Sequence, residues 1–135
     1  MTDVPLRQVY IVDDDPSVAK AICRLLRSAG YEPIAFTSAK AFMQAYSPDA
    51  PGCLVLDISM PEITGLELQE WLIQNDSPLP VIFLTGHGDI QTRVRAIEQG
   101  AVDFLTKPVI AATLFKAVEE GLRRDRETRA ARHAT

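Results

Sequence analysis

The chain predicts an α/β fold: a single doubly wound, five-stranded parallel sheet with five helices. Three observations lead there. Five short apolar runs alternate with five stretches of helical periodicity, which puts helices on both faces of a parallel sheet. The middle runs are apolar without a break, as in strands buried on both faces. Polar residues follow at once, Asp13-Asp14-Asp15 after the first run and Asp57 after the third. These are the strand ends beyond which open α/β sheets bind ligands.

Val9–Val12 is the first strand. Asp15 then suits a helix N-cap and Pro16 the first helical position. Val18, Ala19, Ile22, Cys23, Leu25, Leu26 and Ala29 recur at helical spacing, with Lys20, Arg24 and Arg27 on the other face and Gly30 as a stop. Tyr31–Phe36 is the second strand, marked as an edge by Pro33. Ser38 caps a short helix carrying Phe42, Met43 and Tyr46. Cys53–Leu56 is the third strand. Thr64-Gly65-Leu66-Glu67 reads as a capping box, and its helix turns Leu68, Trp71 and Leu72 inward. Pro80–Leu84 is the fourth strand, ending in Thr85-Gly86-His87-Gly88. Asp89 caps a helix with Ile90, Val94 and Ile97 on one face, stopped by Gly100. Val102–Leu105 is the fifth strand, followed by Thr106-Lys107-Pro108. The last helix carries Leu114, Ala117, Val118 and Leu122. The domain is expected to span 1–122, with 123–135 a basic linker or tail. Right-handed crossovers leave few topologies. The flavodoxin-like order 2-1-3-4-5 sets strands one, three and four side by side.

At 135 residues the chain holds one domain with a real core, and 47% apolar with 24% charged residues is an ordinary globular mix. No apolar run approaches the roughly 20 residues of a bilayer span, and Met1 to Gln8 lacks the apolar stretch of a signal peptide. A cytoplasmic protein without a membrane partner is expected. Cys23 and Cys53 fall on apolar positions and read as buried thiols, too few for a metal motif. Net charge is −4, which argues against the whole domain binding nucleic acid. The segment from Arg123 carries +3, so the body before it carries −7. Such a concentration of negative charge calls for counter-ions or solvation.

Asp57 closes the apolar run Cys53–Leu56. A carboxylate is costly to bury there unless it is paired or binds a metal. Alone it would read as a turn-capping residue. In the predicted topology, however, strand ends bring it together with Asp13, Asp14, Thr85 and Lys107. Clustered carboxylates repel one another, and a hard divalent cation relieves this; Mg²⁺ takes one or two carboxylates with phosphate oxygens and water. A carboxylate can also be the nucleophile that forms an aspartyl-phosphate. Phosphoryl transfer needs charge neutralisation and positioning above all. Lys107 would supply a positive charge and Thr85 a hydrogen bond. His87 lies near this pocket, but Gly86-His87-Gly88 is not a ligand cluster.

With these residues in place, the chain resembles the receiver domain of a two-component response regulator. The resemblance runs from about Gln8 to Gly121. It rests on Val12-Asp13-Asp14-Asp15-Pro16, Asp57-Ile58-Ser59-Met60-Pro61, Gly65, Thr85 and Lys107-Pro108. The loop Thr85–Asp89 and the stretch Gly100–Phe104 look most like the FixJ class, whose receiver precedes a LuxR-type helix-turn-helix. The resemblance implies that Asp57 is the phosphoacceptor, taking phosphoryl from a sensor histidine kinase. Asp14 and Asp57 would bind Mg²⁺ directly, Asp13 through water, and Ser59 through its backbone carbonyl. Thr85 and Phe104 would be a switch pair, and Lys107-Pro108 a cis peptide. Ser59 stands where FixJ-like chains often carry Arg. A homodimer forming on phosphorylation is expected through the face made by the helix from Asp89, the fifth strand and the last helix. DNA would be reached only through an output domain that this chain does not include.

Two rivals remain open at the level of sequence. Asp13 and Asp15 make a D-x-D after strand one, as in haloacid-dehalogenase-like phosphatases, though Pro16 follows and the chain is short for that family. Phosphorylation of Asp13 would favour this phosphatase, and of Asp57 the receiver. The other rival is a phosphate-independent interaction module. A nucleotide-binding fold lacks support, since no glycine-rich phosphate loop follows strand one.

Overall fold

A computed structural model of the chain describes residues 7–86 and 90–133. It contains β1 (Gln8–Val12), α1 (Pro16–Ser28), β2 (Glu32–Phe36), α2 (Ala39–Ala45), β3 (Cys53–Asp57), α3 (Gly65–Gln74), β4 (Val81–Thr85), α4 (Ile90–Glu98), β5 (Asp103–Thr106) and α5 (Ala111–His133). All neighbouring strands are parallel, in the order β2-β1-β3-β4-β5. This is the predicted doubly wound, flavodoxin-like arrangement. His87 and the Asp89 cap lie outside the described residues.

The local signals act as their chemistry suggests. Asp15 is the N-cap of α1, its carboxylate accepting from the Ser17 backbone N–H at 2.9 Å. Ser38 caps α2 through Ala41 N–H. Thr64 and Glu67 close a reciprocal capping box on α3, at 3.2 and 2.9 Å. Each such cap satisfies N–H groups that a helix start leaves without a partner.

Alternation along the strands divides the core in two. Val9, Ile11, Val55, Ile82 and Leu84 pack on one face with α1 and α5. Tyr10, Val12, Leu54, Leu56 and Phe83 pack on the other with α2, α3 and Ala96 of α4. Every residue of β3 and β4 is buried, so two central strands are held from both sides. Cys23 and Cys53 are buried free thiols. Trp71 is half-buried at the edge of the second cluster.

Two elements depart from their sequence patterns. On α4 the residue that meets the core is Ala96. The shared face of Ile90, Val94 and Ile97 points outward, at 77%, 49% and 42% exposure. At the C-terminal end the helix does not give way at Arg123. It continues to His133, with Asp125 buried and Arg129 half-buried against the body. The sequence there is polar because its partners are a carboxylate, a guanidinium and loop backbone rather than apolar side chains.

Gly52, just before β3, has φ +135°, and a Cβ on it would lie 2.6 Å from the Gln8 carbonyl oxygen. Gly86 has open space around it. Gly52→Ala should therefore cost about 2 kcal/mol or more, and Gly86→Ala no more than about 0.5 kcal/mol. Urea denaturation of both variants checks this; equal midpoints would contradict it.

Candidate functional site

The register sets the site. Asp57 pairs with Leu84 at the carboxyl edge, and the Ile58 N–H donates to the Leu84 carbonyl at 2.9 Å. Thr85 is therefore one step further along the adjacent strand, and is buried. Lys107 follows β5, its N–H donating to the Thr85 carbonyl at 2.7 Å. The Lys107–Pro108 peptide is cis. Asp13 and Asp14 follow β1.

Asp13, Asp14 and Asp57 bring one carboxylate oxygen each within 4.8 Å of one another. Asp13 is 0% and Asp57 4% exposed, while Asp14 is open to solvent. The Lys107 Nζ stands 2.9 Å from Asp13 Oδ2 and 3.5 Å from Asp57 Oδ1. The contact to Asp13 is an ion pair without hydrogen-bond alignment, so buried Oδ2 has no hydrogen-bond donor. Asp13 Oδ1 accepts from the Asp15 N–H at 2.9 Å, and Asp57 Oδ1 from the Ser59 N–H at 3.3 Å.

The β3–α3 loop is drawn in tightly. A Cβ on Gly65 would lie 2.6 Å from the Asp57 carbonyl oxygen and 2.8 Å from Ile58 Cα, and the Gly65 N–H donates to the Ile58 carbonyl at 3.0 Å. Only glycine permits that approach, which holds exposed Ser59 at the rim. Beside the carboxylates lies a cavity of about 280 Å³, bounded by Ile58, Ser59, Thr64, Leu66, Thr85, Thr92 and Phe104. Phe104 is buried, its ring tilted against Phe83 at 6.0 Å. All seven residues singled out from the sequence (Asp13, Asp14, Asp57, Ser59, Thr85, Phe104 and Lys107) thus lie at or next to one strand-edge pocket.

Electrostatics follow from this crowding. Burial raises the Asp57 carboxyl to about 6, and the charge of Asp13 adds to the rise; Lys107 opposes it. Burial works to lower the Lys107 ammonium, but the close carboxylates of Asp13 and Asp57 outweigh it and raise it. Two buried carboxylates, a third at the rim and one ammonium leave an excess of negative charge. Hard oxygen donors, one of them a buried carboxylate oxygen without a hydrogen bond, fit a divalent cation such as Mg²⁺.

A parallel sheet with an acidic pocket and one lysine at its carboxyl edge is the arrangement that the resemblance to a receiver domain implies. Residues 9–119 match the response regulator receiver domain family, and the chain belongs to it. It is 45% identical over 123 residues to nodulation protein W of Bradyrhizobium diazoefficiens, covering 91% of this chain and 54% of that protein. It is 42% identical over 119 residues to the transcriptional regulatory protein FixJ of Azorhizobium caulinodans, covering 88% and 56%. The response regulator StyR structure superposes with a TM-score of 0.89 at 45% identity, covering 94% of this chain and 64% of that one. FixJ-N gives 0.80 at 37%, covering 91% and 96%. The chain spans about half the length of the curated relatives it matches. Receiver domains of this family generally bind Mg²⁺ at an acidic pocket. Membership answers the phosphatase rival. In agreement, the Asp15 carboxylate is engaged by the N–H and hydroxyl of Ser17.

The raised Asp57 carboxyl makes a signed prediction. Unfolded, it titrates near 3.8; folded, near 6. The unfolded chain therefore releases this proton first. Stability falls as pH rises from about 4 to 6, and the penalty is full above that. In Mg²⁺-free buffer, Asp57→Asn should be more stable than wild type at pH 7.5, by about 1–3 kcal/mol. The gain should shrink as pH drops toward 4. Thermal melts across this range test it, and a pH-independent gain would contradict the assignment.

Proposed function

We propose that Asp57 is the phosphoacceptor of a Mg²⁺-dependent receiver, phosphorylated by a sensor histidine kinase in the cytoplasm. The observation that carries this reading is a buried carboxylate at the end of a central strand, with two further carboxylates and one ammonium around it. Asp13, Asp14, Asp57 and the Ser59 backbone would hold the ion. When bound, Mg²⁺ supplies positive charge against the incoming phosphoryl oxygens. An Asp57 oxygen attacks phosphorus as the bond to the donor's imidazole nitrogen breaks, and that nitrogen keeps the electron pair and takes a proton. Lys107, held between Asp13 and Asp57, exchanges a carboxylate contact for a phosphoryl oxygen. Thr85 reaches toward the new group, and Phe104 repacks beside the cavity behind it.

Treatment with acetyl phosphate and Mg²⁺ should add one phosphoryl group, seen by intact-mass spectrometry. Asp57→Asn should abolish the addition and Asp14→Ala should weaken it together with Mg²⁺ binding. Undiminished labelling of Asp57→Asn would place the acceptor elsewhere. Full partner binding by Asp57→Ala would instead favour the phosphate-independent module. Thr85→Ala should accept phosphoryl yet respond poorly, and Lys107→Ala should lose the response or the transfer rate.

The output face is α4, β5 and α5. It exposes the apolar Ile90, Val94 and Ile97, with Arg93, Arg95 and Glu98 on α4 and Lys116, Glu119 and Glu120 on α5. Opposite charges presented twice suit a self-complementary two-fold contact. Rim ion pairs are worth only about 0–1 kcal/mol each, so the dimer forms when phosphorylation adds its bias. In a longer protein of the FixJ kind, the dimer would bring together two DNA-binding output domains. Sedimentation of the Mg²⁺–beryllofluoride form should show a dimer and the untreated protein a monomer. A monomer at high concentration in both states would sink the dimer.

A further inference from the structure

The α5 helix is 23 residues long, about 34 Å at 1.5 Å per residue. Its last three turns are made of residues that the sequence presents as a polar tail. On the exposed side, Glu120 accepts from Arg123 and Arg124, and Arg123 also meets Glu127. A helix projecting into solvent could carry those pairs equally well. The opposite side could not. Asp125 is 2% exposed, and its Oδ2 accepts from the Gly52 N–H at 3.0 Å. The Arg129 Nε donates to both Asp125 oxygens at 2.9 and 3.0 Å. The other arms of the Arg129 fork donate to the Asp49 carbonyl at 3.0 Å and to the Ala50 carbonyl. Arg132 makes a longer contact to the Asp76 carbonyl at 3.4 Å.

Each partner lies 56 to 80 residues away in sequence, in the loops that lead into β3 and β4. A buried carboxylate is tolerated only when it is paired and its oxygens accept hydrogen bonds, and both conditions hold here. Arg suits the role because its planar fork can serve a carboxylate and two carbonyls together.

We infer that Asp125 and Arg129 form a latch that docks the α5 extension onto the receiver, making residues 123–132 a rigid spacer integral to the folded unit. Whatever the end of this helix carries is then oriented by the receiver body. The inference is independent of the phosphoacceptor reading, because the latch lies at the sheet end opposite Asp57.

Amide hydrogen exchange on the 135-residue protein tests it. Amides 124–129 should be protected to a similar degree as those of 114–122. Arg129→Ala should speed exchange at 124–129 by about tenfold or more, since a buried carboxylate loses its charge partner. The β3 and β4 amides serve as the internal measure of folding. Arg126→Ala, an exposed change on the same turns, should leave the pattern intact. Random-coil exchange at 124–129 in wild type would overturn the latch, and so would equal exchange in the Arg129 and Arg126 variants. If Arg129→Ala loosens strands and extension together, the segment is part of the global folding unit, as inferred.

Discussion

The negative charge confined at the carboxyl edge of β1 and β3 is the constraint around which the structure is arranged. Asp13 and Asp57 are almost wholly removed from water, and they share one ammonium. The rest of the fold places and supports that imbalance. Apolar strands bury it, the hydrogen bond from the Lys107 N–H to the Thr85 carbonyl anchors the residue that carries the ammonium, and Gly65 draws the β3–α3 loop under Asp57. A pocket so charged is sensitive to any added cation or anion, which is the property a phosphoryl-driven switch requires.

The same arrangement joins the pocket to a more distant surface. Thr85 belongs both to the pocket and to the wall of the adjacent cavity, and Phe104 lines that cavity from β5. On the far side of β5 and α4 lies the outward apolar stripe of α4. Only Ala96 of α4 is buried, so that helix is attached to the core by a small contact. A helix seated so lightly can change position at low energetic cost. The fully buried β3 and β4 beside it cannot.

Much of this was legible in the sequence, for local physical reasons. Unbroken apolar runs such as Cys53–Leu56 announced central strands, and Pro33 announced an edge. Asp15, Ser38 and Thr64 marked helix starts whose hydrogen bonds the structure shows. The pocket could be assembled because each of its polar residues stands at or just past the end of a strand. What could not be read were contacts between distant polar groups. Asp125 and Arg129 have the spacing of an ordinary surface pair, and nothing local tells that Gly52 and the Asp49–Ala50 carbonyls wait beneath them. The outward stripe of α4 was hidden for the converse reason. Periodicity shows that Ile90, Val94 and Ile97 share a side, but it does not tell which side the sheet takes.

The docked helix end bears on where this chain can be joined to others. A seam cut at Leu122, where apolar periodicity fades, would strand the Gly52 N–H and two loop carbonyls that now have charged partners. Backbone groups left so at the entrance to β3 would have to find water in a place shaped for a side chain. The workable seam for recombining this receiver with a foreign module falls after Arg132. In such a chimera the spacer travels with the receiver, and the phase of the incoming module about the helix axis is set by how many residues follow it.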